Sequence, residues 1–362
     1  MTFSRAVKVV MFHVGRLWRL RAGLKMDFLS LFIFYVIFVM ASVLLICKCS
    51  GRSPNLPGRV AQGCSFLVPS WLQRGMESNS NRVLYTRSPF FVVLHVVLEA
   101  AVYGEYTWEI YGYCSELEFS RHHLLLPYAL GAVNLGLFWL CCTTDPGTIT
   151  TSNQATYVPV YKYDGVMFHK KRICATCQLV KPARSKHCGV CDRCVHRFDH
   201  HCVWVNNCIG ANNTGCFLIY LITLTLMAAD LAVITTTFLA QVVSLSKMLM
   251  GSYLDADGQE HAMNMPFVIQ HLFLTIPRIV FLLGFLVILF LLIGGYSCFM
   301  LYLLLRNQTS NEWCKARQGC LPCCQGLPHK QHASYQNIYS KGMIANILEA
   351  FQPTAIFKEK GK

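Results

Sequence analysis

Residues 174–208 read CATCQLVKPARSKHCGVCDRCVHRFDHHCVWVNNC. Seven cysteines stand in this stretch: Cys174, Cys177, Cys188, Cys191, Cys194, Cys202 and Cys208. Cys174 and Cys177 make one C-x-x-C step, Cys188 and Cys191 a second, and Cys194 follows three residues later. A two-residue gap lets both sulfurs of a tight turn face one ion about 2.3 Å away, which is the spacing of a zinc knuckle. Two closed tetrahedral sites take eight ligands; six of the cysteines with two histidines would fill them and leave one thiol over. A thiol beside an acid and a histidine suits nucleophilic catalysis. The imidazole takes the thiol proton, the carboxylate fixes the tautomer, and nearby positive charge favours the thiolate. Cys202 is the cysteine that directly follows an acid and histidines, Asp199, His200 and His201. The count alone leaves open which cysteine is the spare one.

The surroundings of the stretch belong to a membrane protein. Of 362 residues, 54% are hydrophobic and 14% charged, too apolar for an ordinary soluble domain. Five apolar runs, at 28–47, 89–108, 124–144, 216–243 and 279–305, are long enough to cross a bilayer of about 30 Å at about 1.5 Å rise per residue. Asp230 in the fourth run is expected to hydrogen-bond a neighbouring helix. The net charge of +14 is read as basic loops on the cytosolic side, not as a nucleic-acid surface. The spans and the lack of a helical finger pattern speak against a zinc-dependent nucleic-acid binder.

The loop charges set an orientation. The segment 157–213 is rich in Lys and Arg, whereas 109–123 and 247–278 carry more acid. The cysteine-rich segment and the C-terminus are therefore expected in the cytosol, where thiols stay reduced. Arg5, Lys8, Arg16, Arg19, Arg21 and Lys25 before the first run conflict with five crossings, and a chain starting at Met26 would lack all six. In the C-terminal region, Cys314, Cys320, Cys323 and Cys324 are read as either acyl acceptors or inert thiols, a third zinc site lacking a well-spaced histidine. The ending KEKGK, with Lys358 and Lys360, resembles a dilysine signal for retrieval to the endoplasmic reticulum.

The cysteine-rich stretch resembles the DHHC protein S-acyltransferases (palmitoyltransferases). Asp199-His200-His201-Cys202, Lys181-Pro182, Arg184, His187-Cys188, Trp204, Asn207-Cys208, Gly210, Asn213 and Phe217 stand at that family's spacings. Asp145-Pro146-Gly147 follows the third run as the family's DPG motif does, and Thr309-Ser310-Asn311-Glu312 resembles its TTxE motif with Ser in place of the second Thr. The segment 339–351, YSKGMIANILEAF, resembles the family's C-terminal motif, with Asn346 at its asparagine, and GEYTWE at 104–109 points to one particular member. Residues before Met26 look like an upstream extension of that member.

The resemblance implies one zinc on Cys174, Cys177, His187 and Cys194, and a second on Cys188, Cys191, His201 and Cys208. It leaves Cys202 as nucleophile, His200 as its general base and Asp199 as the group that orients His200. Thr309 and Asn346 are expected to brace this site, and Lys181, Arg184, Lys186 and Trp204 to contact the acyl-CoA co-substrate. The implied fold is an all-α integral membrane protein of about five spans with a small cytosolic two-zinc domain of short β-hairpins and loops. Its expected parts are a basic extension (1–27), spans one to three (28–144), the cysteine-rich domain (145–215), spans four and five (216–305) and a cytosolic tail (306–362). The implied reaction moves a palmitoyl group from palmitoyl-CoA to Cys202, then to cysteines of membrane-associated proteins. The alternative is a catalytically silent zinc-bearing membrane scaffold, which has no need of Asp199, His200 and Cys202. The expected location is the endoplasmic reticulum, with the Golgi or plasma membrane as alternatives.

Overall fold

The computed structural model describes residues 86–116, 119–254, 259–318 and 336–352. The expected first span, the basic residues before it, Cys320, Cys323, Cys324, Lys358 and Lys360 lie outside the described residues. Within them, four helices are long and apolar enough to cross a membrane: Phe90–Ser115, His123–Thr143, Thr214–Met250 and Pro277–Leu305. Each falls on one of the remaining expected runs. The first and third extend past the apolar run into polar sequence, because a helix satisfies its own backbone whatever its side chains and does not end where hydropathy ends.

The first helix, α1 (Phe90–Glu105), continues through a π-helical turn, Tyr106–Tyr111, into Gly112–Glu116. Next come α2 (Arg121–Thr143), the single turn α3 (Gln154–Tyr157), and two hairpins of β1 (Lys186–Cys188) with β2 (Arg193–Val195) and β3 (His200–Cys202) with β4 (Asn207–Ile209). The long α4 (Thr214–Leu245) leads to a third hairpin, β5 (Ser252–Leu254) with β6 (Glu260–Ala262). Then follow α5 (Met265–Thr275), α6 (Pro277–Leu305), α7 (Ser310–Gln318) and α8 (Met343–Phe351).

The chain forms two compact units. One contains Leu98–Pro127 and Ala228–Ile288. In it, Pro127 interrupts the backbone ladder of α2. The Tyr103 and Tyr106 hydroxyls donate to the carbonyls of Pro127 (2.7 Å) and Leu124 (3.0 Å) in that turn. The Asn264 side chain caps α5 by accepting from the Phe267 amide. Asp230 does not make its expected bond through Oδ2, which is buried with no hydrogen-bond partner.

The other unit contains Tyr128–Met227 together with the start of α1 and the chain from Leu289 onward. Here Asn134 of α2 donates to the Tyr220 carbonyl and Thr223 Oγ1 of α4, and Thr225 of α4 meets Ser297 of α6 at 3.2 Å. Such small polar contacts join helices where apolar surface has no water to escape. After α2, Asp145 accepts from the amides of Gly147 and Thr148, turning the chain. The chain then bridges β2 at Thr148 and Val195, and the His196 amide donates to the Gly147 carbonyl. This lays the DPG turn directly against the loop after β4. A Cβ on Gly210 would stand 2.5 Å from the Pro146 carbonyl oxygen and 2.6 Å from Val195 Cγ1, whereas one on Gly189 would meet nothing within 4 Å.

Replacing Gly210 by Ala should therefore destabilise this unit by about 1–3 kcal/mol, the cost of overpacking. Thermal unfolding of the purified protein in detergent should show a lowered midpoint for Gly210→Ala and an unchanged one for Gly189→Ala. Equal midpoints for the two variants would contradict the close packing of the DPG turn.

Candidate active site

Strand alternation distributes the metal-type ligands. Side chains of successive strand residues point to opposite faces, and directly opposed residues share a face. In the first hairpin His187 pairs with Cys194, and in the second His201 pairs with Cys208. Each cross-strand His/Cys pair meets a preceding C-x-x-C turn. Cys174, Cys177, His187 and Cys194 gather in one cluster, and Cys188, Cys191, His201 and Cys208 in another, with ligand atoms all within 4.8 Å of one another in each. The first C-x-x-C turn is closed by the bridge of Ile173 to Val180, and the second is the tip of the first hairpin. Since His187 and Cys188 are neighbours on β1, they serve different clusters, and the two are interleaved along the chain.

The contacts suit tetrahedral zinc. His187 Nδ1 lies 3.3 Å from Cys177 Sγ and 3.9 Å from Cys194 Sγ. His201 Nδ1 lies 3.4 Å from Cys191 Sγ and 3.7 Å from both Cys188 and Cys208 Sγ. Ligands at about 2.0–2.3 Å from a tetrahedral centre are separated by distances of this size. The amides of Cys177 and Cys191 point at Cys174 Sγ and Cys188 Sγ, both at 3.5 Å, as donors to thiolates do. The described cysteines are all free of disulfides.

His200 and Cys202 lie two apart on β3 and so face away from His201. His200 Nδ1 is 2.6 Å from Asp199 Oδ2. Asp199 is buried, and it also accepts from the Ser310 amide (2.6 Å to Oδ1) and the Ser310 hydroxyl (2.8 Å to Oδ2). Ser310 opens α7, so the carboxylate sits at the positive end of a helix. Burial disfavours charge on all three groups, but their mutual hydrogen bonds outweigh it. The bonds to Asp199 and Cys202 push the His200 imidazole up to about 10, while those from His200 hold Asp199 below its ordinary value and bring the Cys202 thiol below its own. With Nδ1 committed to Asp199, Nε2 is the nitrogen left for the thiol.

A buried cation holds α7 in place. Thr309 and Glu312 form a capping box: the Glu312 amide donates to Thr309 Oγ1 at 3.2 Å, and the Thr309 amide to Glu312 Oε2 at 3.0 Å. Arg184 grips Glu312 with two bonds, Nε to Oε1 (2.7 Å) and Nη2 to Oε2 (2.8 Å). It also donates to the side chain and carbonyl of Asn307, both at 2.8 Å. The guanidinium lies over the rings of Tyr161 (4.9 Å) and Tyr339 (4.4 Å). Arg184 is 1% exposed. Its expected role as a contact for acyl-CoA is therefore replaced by a structural one, because its fork is taken up inside the protein. Thr309, expected to brace the site, acts one residue away from it, and Ser310 makes the contact with Asp199.

The other expected CoA residues are placed differently. Lys181 and Lys186, joined by Arg172 and Lys315, line a cavity of about 280 Å³ floored by Tyr163 and Phe168. Burial and then the neighbouring Lys186, Lys181 and Arg172 charges lower the Lys315 ammonium below its ordinary value, the mark of crowded positive charge. Trp204 lies elsewhere, 42% exposed and edge-on to Phe91 of α1 at 5.3 Å. Sequence reading did not find His196. It is buried and stacked on Tyr157 (4.5 Å) and Tyr161 (5.3 Å). Burial, with Arg184 and Arg197 nearby, pushes it down to about 3, so it is a neutral aromatic wall. Nothing in its local sequence distinguishes it from the ligand histidines.

A family model described as DHHC palmitoyltransferase matches residues 167–317. The chain is 51% identical over 344 residues to palmitoyltransferase ZDHHC4 of Mus musculus, spanning 93% of this chain and 100% of that protein. It is 50% identical over 347 residues to palmitoyltransferase ZDHHC4 of Bos taurus, spanning 93% and 100%. It is 37% identical over 154 residues to palmitoyltransferase swf1 of Schizosaccharomyces pombe, spanning 41% and 40%.

The buried ion pair generates its own test. Glu312→Gln leaves the Arg184 charge buried without its counter-ion and should cost about 3–5 kcal/mol. The double variant Arg184→Met/Glu312→Met removes both charges and should unfold at a higher temperature than Glu312→Gln, as monitored by thermal unfolding in detergent. A double variant no more stable than the single one would rule out an uncompensated charge as the cause.

Proposed function

The chain belongs to the DHHC palmitoyltransferase family and is a multi-pass membrane protein S-palmitoyltransferase, and on that basis we propose how its residues divide the reaction. The observation that carries the assignment is the 2.6 Å contact of Asp199 with His200, on the strand face that also bears Cys202. The scaffold reading finds no support in these comparisons.

Cys202 is the nucleophile, and His200 Nε2 takes its proton. The sulfur attacks the thioester carbon of palmitoyl-CoA, the bond from carbon to CoA sulfur breaks, and the departing CoA thiolate takes the proton from His200. In the second half, His200 accepts the thiol proton of a cysteine on a membrane-associated protein. That sulfur attacks the Cys202 thioester, and the Cys202 thiolate leaves to pair again with the imidazolium. One thioester replaces another at each step, so the protein supplies positioning and a thiolate more than driving force. Asp199 stays ionised, fixing the tautomer of His200 and balancing its charge.

The eight clustered ligands suit two zinc ions, which would supply cross-links that fold the segment and no step of the chemistry. Lys181, Lys186, Arg172 and Lys315 are assigned to the phosphates of CoA, supported by their shared cavity and crowded positive charge. Trp204, beside Cys202 and facing α1, is assigned to the acyl chain, where about 0.8 kcal/mol per buried methylene favours binding. The cysteine-rich domain (145–215) and the C-terminal segment (306–362) are assigned to the cytosolic side, supported by their basic loops, and the protein to the endoplasmic reticulum, supported by Lys358 and Lys360.

Incubation with labelled palmitoyl-CoA, followed by hydroxylamine and metal analysis, tests the roles. Cys202→Ser should form no acyl-enzyme yet retain two zinc ions per chain. His200→Ala should keep both ions and form acyl-enzyme about 10²–10⁴-fold more slowly. His201→Ala should lose one. If Cys202→Ser lost zinc, or His201→Ala kept both ions, the division of roles would be wrong.

The CoA assignment has a separate test. Lys181→Glu/Lys186→Glu should raise KM for palmitoyl-CoA about tenfold or more, while kcat stays near the parent value, the pattern of lost uniform binding. An unchanged KM would remove these lysines from the CoA site.

A further inference from the structure

Two thiols from different spans touch at the base of the cysteine-rich segment. Cys141 stands in the last turn of α2, and Cys216 in the first turn of α4. Their sulfurs are 3.6 Å apart, and Cys216 Sγ also lies 3.9 Å from the Leu137 carbonyl, one turn before Cys141. Hydrogen bonds fix the backbone around this contact. Further along the two helices, Asn134 of α2 donates to the Tyr220 carbonyl (3.0 Å) and Thr223 Oγ1 (2.7 Å) of α4. At the contact itself, Asn207 of β4 donates to the Cys141 carbonyl (3.0 Å) and to that of Thr144 (2.8 Å). Neither thiol belongs to a metal-type cluster, and neither has a part in the reaction set out above.

The pair is placed for a covalent bond. A disulfide holds its sulfurs about 2.05 Å apart. Closing the gap from 3.6 Å asks a movement of about 1.5 Å, shared between two side chains whose backbones stay in place. Cys141 is buried and Cys216 partly exposed, so a small oxidant meets Cys216 first. Cys216 is the third residue of α4. There the free backbone amides and the positive end of the helix favour negative charge on an attacking sulfur.

We propose that Cys141 and Cys216 are a redox-modification site, oxidised by hydrogen peroxide to a reversible disulfide that clamps the base of the cysteine-rich segment. The Cys216 sulfur attacks one peroxide oxygen and the O–O bond breaks. The departing hydroxide takes the thiol proton and leaves as water, and Cys216 becomes a sulfenic acid. The Cys141 sulfur then attacks the Cys216 sulfur, the S–O bond breaks, and hydroxide leaves as a second water with the Cys141 proton. Two thiols lose two electrons in all, and one peroxide is reduced to two waters. A dithiol reductant restores both thiols by exchange. The effect follows from position. Cys141 and Cys216 bracket residues 142–215, which carry both metal-type clusters and Cys202. Their bond closes that whole stretch into one loop, and cross-linking a long loop removes freedom from the unfolded chain. The inference does not depend on the catalytic roles assigned above.

The test uses the zinc-loaded full chain in nanodiscs, reduced, exposed to hydrogen peroxide and quenched with N-ethylmaleimide. Proteolysis without reductant should release the peptide holding Cys141 joined to the one holding Cys216, two hydrogens lighter than their sum. Dithiothreitol should separate them. The link should persist in Cys142→Ala and vanish in Cys141→Ala and in Cys216→Ala. No link, a link from Cys216 to Cys202, or a link lost in Cys142→Ala and kept in Cys141→Ala would overturn the assignment. Thermal unfolding reads the clamp. Peroxide should raise the midpoint of the parent chain by about 5 °C or more relative to its effect on Cys216→Ala. An equal or smaller response of the parent chain would overturn the clamp, even with the link present. Both readouts are independent of acyl transfer, so a chain that forms no acyl-enzyme would overturn the catalytic reading alone.

Discussion

One buried ion pair holds the working parts in register. Arg184 comes from the loop before the first zinc-type hairpin, and Glu312 from the first turn of α7, 128 residues later. Desolvating both charges is costly, and the pair persists because hydrogen bonds surround it: two bonds between the partners, two from Arg184 to Asn307, and a capping bond on Glu312. A hydrophobic pair could fill the same space. It could not set the direction of α7, whose first amide must meet Asp199. Geometry, more than stability, is what this pair contributes.

The fold class was legible because membrane spans and zinc knuckles leave strong local marks. Apolar runs of about 20 residues have few other uses in a chain. C-x-x-C steps likewise announce tight turns with converging sulfurs, and the eight residues that the family resemblance implied as ligands gather in two clusters. What failed to show was anything that depends on partners far apart in the chain. Arg184 sits between Lys181 and Lys186 and reads as one more solvated cation. Only Glu312 and the rings of Tyr161 and Tyr339 make it a core residue. His196 is hidden for the same reason, since stacking on tyrosines leaves no spacing rule. The helices Phe90–Ser115 and Thr214–Met250 were read short because hydropathy marks where a helix leaves lipid, not where its backbone stops.

The apolar core of the cysteine-rich segment is divided into small groups, one of which, Tyr161, Phe168 and Ala183 with Tyr339, contains no metal-type ligand. Cys188, Val195, Phe198 and Cys208 form one small buried group, and Ile149, Tyr157, Cys174, Leu179 and Cys194 another. All four sulfurs in these two groups, Cys174, Cys188, Cys194 and Cys208, belong to the metal-type clusters, so there the clusters and the core are the same places. Small domains of this kind lean on metal for folding. The chain after the DPG turn bridges the first hairpin at Val195, and Asn207 of β4 donates to the carbonyls of Cys141 and Thr144 at the end of α2. Cys202, directly opposite Asn207, is thereby fixed to the end of a membrane span.

Alternation along β3 has a consequence for the history of the sequence. His200 and Cys202 share one parity and His201 the other, so identity of residue does not decide which histidine works and which merely binds. A single inserted residue ahead of Asp199 that moved the strand by one would exchange the two assignments while leaving the motif spelled the same. A shift of two would restore them. Insertions and deletions between the hairpins are thus constrained modulo two as well as in number, a frame imposed by the pleat and independent of any codon.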